Sequence, residues 1–229
     1  RLATHDSAIM ADRACPVTDC KTQRHQTQPT LTVGPHGVLV AWQDRSSGTN
    51  SVYASLAKDA GQFSAPVQIN DTVQKSASYG SGSSAINPVV ASSAEGYWLA
   101  WLDKRADRAG YKIYSARSRD GRAWSEDIKV QDDFGDETPQ WSVSLAIAST
   151  GAAVAVWSDA REDKGQDIYY GIFEADAWSD NVLLETAAGA LDQHYPAVAG
   201  DTAGGLHIIW LHQSADGASR IKYSVGRWS

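Results

Sequence analysis

Four runs of consecutive apolar residues, each ending at a tryptophan, dominate the hydrophobic pattern of the chain. The runs read GVLVAW, YWLAW, AAVAVW and LHIIW, and they end at Trp42, Trp101, Trp157 and Trp210. A strand that is covered on both faces is apolar at consecutive positions, whereas a half-exposed strand alternates between apolar and polar residues. The pattern therefore predicts four strands that lie buried between other layers.

Each of these strands belongs to a repeat with the same landmarks. An apolar stretch (strand A) precedes the tryptophan strand (strand B), an Ile/Val–Tyr segment (strand C) follows it, and an aromatic–Ser pair opens a last strand (strand D). The repeats run over residues 28–71, 87–132, 139–186 and 195–229. Such four-stranded units predict an all-β fold, a β-propeller of four antiparallel blades in a single domain over residues 1–229. A β-sandwich is the alternative, but it does not need the same landmarks in every unit.

The first residues of the chain match the end of strand D in the other repeats. The segment RLATHD at residues 1–6 resembles the tails QIND, KVQD and LLET, whereas the fourth repeat stops at Trp228–Ser229. We therefore expect the N-terminal strand to complete the last blade, which would leave no unpaired edge there. The alternative is a piece of a longer array, or of a larger ring made with a partner chain.

The charge of the chain limits its possible binding partners, and its cysteines indicate the cellular compartment. The chain has 27 acidic and 20 basic residues, a formal charge of −7, no basic block and no apolar run long enough for a membrane span. These features argue against nucleic acid as a partner. Cys15 and Cys20 in CPVTDC predict a small disulfide loop, with a free pair and a metal pair left open. A disulfide indicates a secreted, periplasmic or cell-surface protein.

The loops after strand B carry a repeated charged signature. They share one end of a propeller with the loops after strand D, and we call this end the loop face. An Asp is followed by Arg45, Arg105 and Arg161 in three repeats, whereas His212 takes the Asp position in the fourth. Arginine suits a ligand carboxylate, so these arginines and His212 are candidate ligand contacts. The alternative role is to hold each blade's own loop.

The loops after strand D differ from one another, as recognition loops do. Their candidate ligand-binding residues are Tyr79, Trp141, His194 and Tyr195. Carboxylates beside aromatic rings suit a sugar, and the acidic residues Asp133, Asp136 and Glu137 are weak candidates for a calcium site. No other cofactor is predicted. A histidine metal site formed by His5, His25, His194 and His212 is a further alternative, whereas His207 lies within strand B and is expected in the core.

One segment between strands C and D reads SRDGRAW, from Ser118 to Trp124. It resembles a shortened Asp-box, Ser-x-Asp-x-Gly-x-Thr-Trp, of the sialidase-like propellers built from BNR repeats. KDAGQF and EADAW are more degenerate copies. The resemblance implies a propeller fold in which Asp59, Asp120 and Asp176 have a structural role, accepting hydrogen bonds from backbone amides in tight turns.

By the same resemblance, a catalytic sialidase would carry three arginines, a tyrosine nucleophile activated by a glutamate, and an acid/base aspartate. It would also carry an Arg-Ile-Pro motif in the first blade. The Arg-Ile-Pro motif is absent from the chain, and no catalytic residue can be assigned. We therefore expect an extracytoplasmic, non-catalytic propeller that binds a carbohydrate or a surface macromolecule at its loop face. A glycoside hydrolase, or a fragment of one, is the alternative, and a metal-binding propeller is the second.

Overall fold

Four antiparallel β-sheets follow one another along the chain. The computed structural model describes residues 26–46, 48–58, 62–71, 84–105, 110–161, 165–184, 192–214 and 216–227. Within these ranges the helical structure is a single 3₁₀ turn, Asp133–Gly135. The predicted all-β class is confirmed.

Each sheet begins with its strand A and continues outward in chain order. The first sheet contains β1 (Gln26–Gly34), β2 (Gly37–Asp44), β3 (Ser51–Ala57) and β4 (Val67–Gln68). The second contains β5 (Ala85–Ser93), β6 (Gly96–Asp103), β7 (Lys112–Ser118) and β8 (Ile128–Lys129). The third contains β9 (Gln140–Ile147), β10 (Ala153–Asp159), β11 (Asp167–Glu174), β12 (Ala177–Trp178) and β13 (Val182–Leu183). The fourth contains β14 (Gln193–Gly200), β15 (Gly205–Gln213) and β16 (Ser219–Arg227).

The three interfaces between successive sheets are all built in the same direction along the chain. The face that carries the anchor tryptophan packs on the preceding sheet: Trp101 joins the cluster with the first sheet, Trp157 the cluster with the second, and Trp210 the cluster with the third. The opposite face of each sheet packs on the next sheet. This two-sided burial explains why the strand B sequences are apolar at consecutive positions.

The two terminal faces do not share a cluster within the described part of the chain. Leu31 and Val33 on the first sheet are exposed, as are Ile209, Ile221 and Val225 on the fourth. The expected N-terminal strand (residues 1–6) and the Trp228–Ser229 pair lie outside the described residues. The closure of the ring therefore stays a prediction.

The fourth sheet departs from the predicted repeat by one residue of register. Trp42, Trp101 and Trp157 lie opposite a tyrosine on strand C, but Trp210 lies opposite Lys222. A shift of one residue moves a side chain to the other face of a strand. Tyr223 thus lies on the face that points away from the third sheet, which we call the outer face. Strand β16 continues to Arg227, next to the Trp228–Ser229 pair that the repeat places at the start of strand D.

His207 also lies on this outer face, so its expected position in the core is wrong. Its side chain is 38% exposed. Its Nε2 lies 2.8 Å from Asp201 Oδ2, and its Nδ1 lies 2.7 Å from the Tyr223 hydroxyl. In the uncharged imidazole, Nε2–H donates to the carboxylate and Nδ1 accepts a hydrogen bond from the phenol. The alternation of Leu206, His207 and Ile208 between the two faces explains why only the middle residue escapes burial.

This arrangement predicts a specific acid sensitivity. Hydrogen bonds from His207 and from the backbone amides of Gly205 and Ala203 lower the pKa of Asp201 to about 2. The unfolded carboxyl, with a pKa of about 4, takes up a proton first as the pH falls. Asp201 therefore stabilises the fold above pH ~4, and this contribution disappears between pH ~4 and ~2. We expect Asp201→Asn to lower the urea midpoint at pH 7 and to lose less stability on acidification than the parent. Equal midpoints and equal acid losses in the two proteins would contradict this.

Candidate functional site

The strands A of the four sheets lie side by side and form the innermost layer. β1 packs against β5, β5 against β9, and β9 against β14. The hydroxyls of Thr32 and Ser92 lie 2.9 Å apart, and the Val198 amide donates to Ser144 Oγ at 3.1 Å. These contacts place equivalent positions of neighbouring strands at nearly the same level.

A left-handed residue occurs at the same place in each of these inner strands. The four residues are Gln28, Asn87, Ser142 and Tyr195, with φ between 51° and 53°. Each lies in a β-bulge, where the register of strands A and B shifts. Outside glycine this conformation costs about 1–2 kcal/mol. The repeated bulge places a polar side chain at the loop-face end of every inner strand. Ser142 is half-buried, and the other three residues are exposed.

The arginines of the second and third sheets are held by buried aspartates. Arg161 donates to Asp159 at 2.6 Å and to Asp132 at 2.9 Å, and its guanidinium lies over the Tyr169 ring, 4.2 Å from its centroid. Burial acts to lower the pKa of Arg161, but the hydrogen bond and the attraction to Asp159 outweigh it and raise that pKa. The guanidinium is therefore a fixed cation that ties the end of strand B to the loop after β8.

Arg105 has the same environment in the second sheet. It pairs with Asp103 and Asp127, and it lies over Tyr114, 3.8 Å from the ring centroid. Two of its nitrogen atoms thus donate to carboxylates inside the protein. That Arg105 and Arg161 also contact a ligand stays a prediction.

Arg45 differs from these two because it is exposed. The neighbouring Asp44 is buried and accepts hydrogen bonds from the Ser46 amide at 2.7 Å and from Gln26 Nε2 at 3.1 Å. Arg45 is therefore the arginine of this signature with the most solvent-accessible position for a ligand contact.

Aromatic and imidazole side chains flank the left-handed residues. Trp141 precedes Ser142, is partly exposed, and has its ring 5.7 Å from that of Tyr111. Tyr195 is 71% exposed and lies next to His194, whose Nδ1 is 3.0 Å from Gln166 Oε1. His212 is buried at the end of β15. The structure thus brings Trp141, His194 and Tyr195 to the same end of the inner layer.

The acidic loop after β8 is organised by two lysines. Lys129 Nζ lies 3.0 Å from Asp133 and 2.7 Å from Asp136. The buried Lys112 donates to the carbonyls of Gly135, Asp136 and Thr138. Asp133 and Asp136 thus each direct one carboxylate oxygen to an ammonium group, and a calcium site formed with Glu137 stays a prediction. No group of three His, Cys, Asp or Glu side chains able to hold a metal occurs in the described ranges.

Three candidates from the sequence lie outside the described residues. They are Tyr79 and the cysteine pair, Cys15 and Cys20. His5, His25 and Asp59 are also outside these ranges. The disulfide and the contact made by Tyr79 stay predictions.

A cleft of about 920 Å³ opens at the opposite end of the sheets, between the second and third. Arg117 crosses it to pair with Asp176 at 2.6 Å, and its guanidinium lies 5.1 Å from the Phe173 ring centroid. Asp120 borders the same cleft and accepts hydrogen bonds from the amides of Arg122 and Ala123. Asp120 therefore has the structural role that its sequence context predicted, whereas Asp176 is held through a side chain.

Several solved structures are similar to this arrangement of sheets. An α-L-arabinanase of Penicillium chrysogenum complexed with arabinobiose matches 88% of this chain, with a TM-score of 0.65 and 18% identity. The Hadza microbial sialidase Hz136 matches 87% of the chain, with a TM-score of 0.63 and 14% identity. The Trypanosoma rangeli sialidase in complex with the inhibitor DANA matches 88%, with a TM-score of 0.58 and 11% identity. The chain has a sialidase-like propeller fold.

The similarity to these proteins is seen in the structure and not in sequence comparisons. No protein-family model matches the sequence, and no curated protein matches it. The chain spans 62%, 44% and 36% of the lengths of these three proteins, respectively. No helix in the part of the propeller that the structure describes has the length and apolar character of a membrane span.

Proposed function

We propose that this protein is an extracytoplasmic, non-catalytic propeller that binds carbohydrate at its loop face. The four left-handed residues carry the proposal, because they present two amides, a hydroxyl and a phenol at one level of the inner strands. Amide and hydroxyl groups both donate and accept hydrogen bonds, as sugar hydroxyls require. The exposed rings of Tyr195 and Trp141 offer apolar faces beside them.

The side chains at these four positions do not include the carboxyl pair of most glycoside hydrolases. Glycoside hydrolysis commonly needs two carboxyl groups, about 5–5.5 Å apart in retaining enzymes and about 6.5–9.5 Å apart in inverting ones. None of Gln28, Asn87, Ser142 and Tyr195 is an acid. The similarity to structures of an arabinanase and of sialidases supports a carbohydrate as the ligand class.

The proposal also includes the finer assignments made from the sequence. Residues 1–6 pair with the outer edge of β16, which has no strand partner within the described residues, and complete the last of four blades. The Ser118–Trp124 segment is a degenerate Asp-box, and Cys15 and Cys20 form a disulfide in an oxidising compartment. Arg45, Trp141, His194 and Tyr195 contact the ligand.

A glycan array combined with hydrolysis assays on fluorogenic glycosides tests this function. We expect binding of one or a few glycans and no turnover. Turnover that is lost when loop carboxylates are substituted would support the alternative, a glycoside hydrolase, which the similarity to an arabinanase and to sialidases favours. Stoichiometric metal in the purified protein, measured by elemental analysis, would support the metal-binding alternative instead.

Tyr195→Ala is expected to weaken binding of the strongest array ligand about tenfold, which corresponds to about 1.4 kcal/mol. The phenol ring is largely exposed, so the free energy of unfolding should hardly change. The matched control is Tyr223→Ala, which removes an exposed tyrosine from the outer face of β16. Isothermal titration calorimetry measures both variants. Equal affinities of the two variants would argue against a ligand at the inner strands.

A further inference from the structure

The end of strand B carries a hydrogen bond that recurs in successive sheets. Trp101 Nε1 donates to Asp103 Oδ2 at 3.1 Å, and Trp157 Nε1 donates to Asp159 Oδ2 at 3.0 Å. Residues two apart on a strand lie on the same face, so the indole and the carboxylate are neighbours. In both sheets the carboxylate also binds an arginine.

The fourth sheet lacks this carboxylate. His212 takes the Asp position, and Ser214 takes the arginine position. Trp210 and His212 are 4% and 8% exposed, and within the described residues neither Trp210 Nε1 nor His212 Nδ1 has a hydrogen-bond partner. Buried polar groups without partners destabilise a fold, and such groups in a native structure indicate a missing ligand or water.

The donor chemistry of these two groups favours an acceptor with negative charge. An indole N–H can only donate, and an imidazole donates from Nδ1 when that nitrogen carries its proton. At the equivalent position in the second and third sheets the acceptor is a carboxylate oxygen. In the first sheet, Trp42 Nε1 has no partner among the described residues although Asp44 takes the same position. The bond is thus formed in two of the three sheets that carry the aspartate, whereas the fourth sheet lacks the acceptor altogether.

A neighbouring amide is compatible with a carboxylate at this position. Gln193 lies opposite His212 on β14 and donates from Nε2 to Asp167 at 2.8 Å, whereas its buried Oε1 has no partner in the described part of the chain. Gln140 of the third sheet has the same unpaired Oε1, although its Nε2 lies 3.4 Å from the Asp159 carboxylate. The unpaired amide oxygen thus coexists with a carboxylate in one sheet of this protein.

We propose that Trp210 Nε1 and His212 Nδ1 bind the carboxylate group of a ligand, which replaces the aspartate that the fourth repeat lacks. The position is at the loop-face end of β15, and His194 lies opposite Leu211 in the same strand pair. If the ligand is a carbohydrate, which rests on the proposed function, this site makes it an acidic sugar.

The indole N–H signals in ¹H–¹⁵N NMR spectra of the full chain test the carboxylate site. Trp210→Phe assigns the Trp210 signal. Acetate is expected to shift this signal in a saturable manner with millimolar affinity, whereas sodium chloride of equal ionic strength is not. The Trp101 and Trp157 signals serve as internal controls, because their acceptors are carboxylates of the protein itself.

His212→Asp is the repair variant, since it installs the residue that accepts from the indole in the second and third sheets. We expect its Trp210 indole signal to move toward those of Trp101 and Trp157 without acetate, and its acetate affinity to fall at least tenfold. A Trp210 signal that acetate leaves unchanged in the parent protein would overturn the proposal. An equal acetate response in the parent and in His212→Asp would overturn it as well.

Glucuronate and glucose separate the carboxylate site from the proposed carbohydrate function. A Trp210 shift with glucuronate but not with glucose supports an acidic sugar. A shift with acetate alone supports the carboxylate site and contradicts the acidic sugar. Glycan binding that leaves the Trp210 signal unchanged supports the proposed function and contradicts an acidic sugar at the carboxylate site.

Discussion

Trp157→Ala is expected to lower the free energy of unfolding by about 3–5 kcal/mol, the range for deleting a large buried aromatic side chain. Trp157 is completely buried in the cluster between the second and third sheets, and its indole N–H donates to Asp159. The substitution removes packing from one sheet interface and leaves the Asp159 carboxylate with one fewer donor. Urea unfolding followed by circular dichroism measures the change.

Two further variants separate the packing of Trp157 from its hydrogen bond. Trp157→Phe retains most of the ring but not the N–H, so it should be less destabilising than alanine. Trp141→Ala removes an indole that is 37% exposed on β9 and should have a smaller effect. If Trp157→Ala costs no more than Trp141→Ala, the anchor tryptophan does not have the structural role assigned to it.

Asp159→Ala is also expected to be destabilising, by about 1–3 kcal/mol for each buried donor that loses its acceptor. The Asp159 carboxylate is fully buried, and it accepts hydrogen bonds from both Trp157 and Arg161. Without it, the largely buried Arg161 guanidinium retains Asp132 as its ion-pair partner. Thermal and urea unfolding both measure the loss.

The matched control is Asp176→Ala, which removes an exposed ion pair with Arg117. Exposed pairs contribute about 0–1 kcal/mol. A cost for Asp159→Ala as small as that for Asp176→Ala would show that the repeated Asp–Arg pair does not stabilise the sheets.

The hydrophobic pattern of the sequence was sufficient to predict the sheets. Consecutive apolar residues ending at Trp42, Trp101, Trp157 and Trp210 correspond to β2, β6, β10 and β15. The prediction succeeded because burial on both faces is imposed on every residue of these strands, so the sequence signal is strong.

The same approach failed in the fourth sheet, where landmarks were aligned by residue type. Ile221 and Tyr223 were matched to the Ile–Tyr pair of the other repeats, but Lys222 is opposite Trp210. Register depends on pairing along the whole of β15 and β16, which one aromatic residue does not determine. The outward positions of His207 and Tyr223 follow from that pairing.

The candidate site was predictable only in part. The sequence indicated the loop-face residues Trp141, His194 and Tyr195, but it did not indicate that Gln28, Asn87 and Ser142 share a backbone conformation with Tyr195. Three of these four precede a proline, and such residues normally adopt extended conformations. The left-handed bulge therefore opposes the local preference and is imposed by the packing of the inner strands. The role of Lys112, which holds three carbonyl groups, also depends on a loop path that spacing does not reveal.

Because successive sheets pack in the same direction, this architecture can change in evolution by gain or loss of whole sheets. At each of the three described interfaces, the indole-bearing side of one sheet packs on a second apolar side of the sheet before it. Duplication or deletion of one whole unit would therefore join two surfaces that are already complementary. Gene rearrangement at this level can alter the number of sheets without requiring a new kind of contact between them.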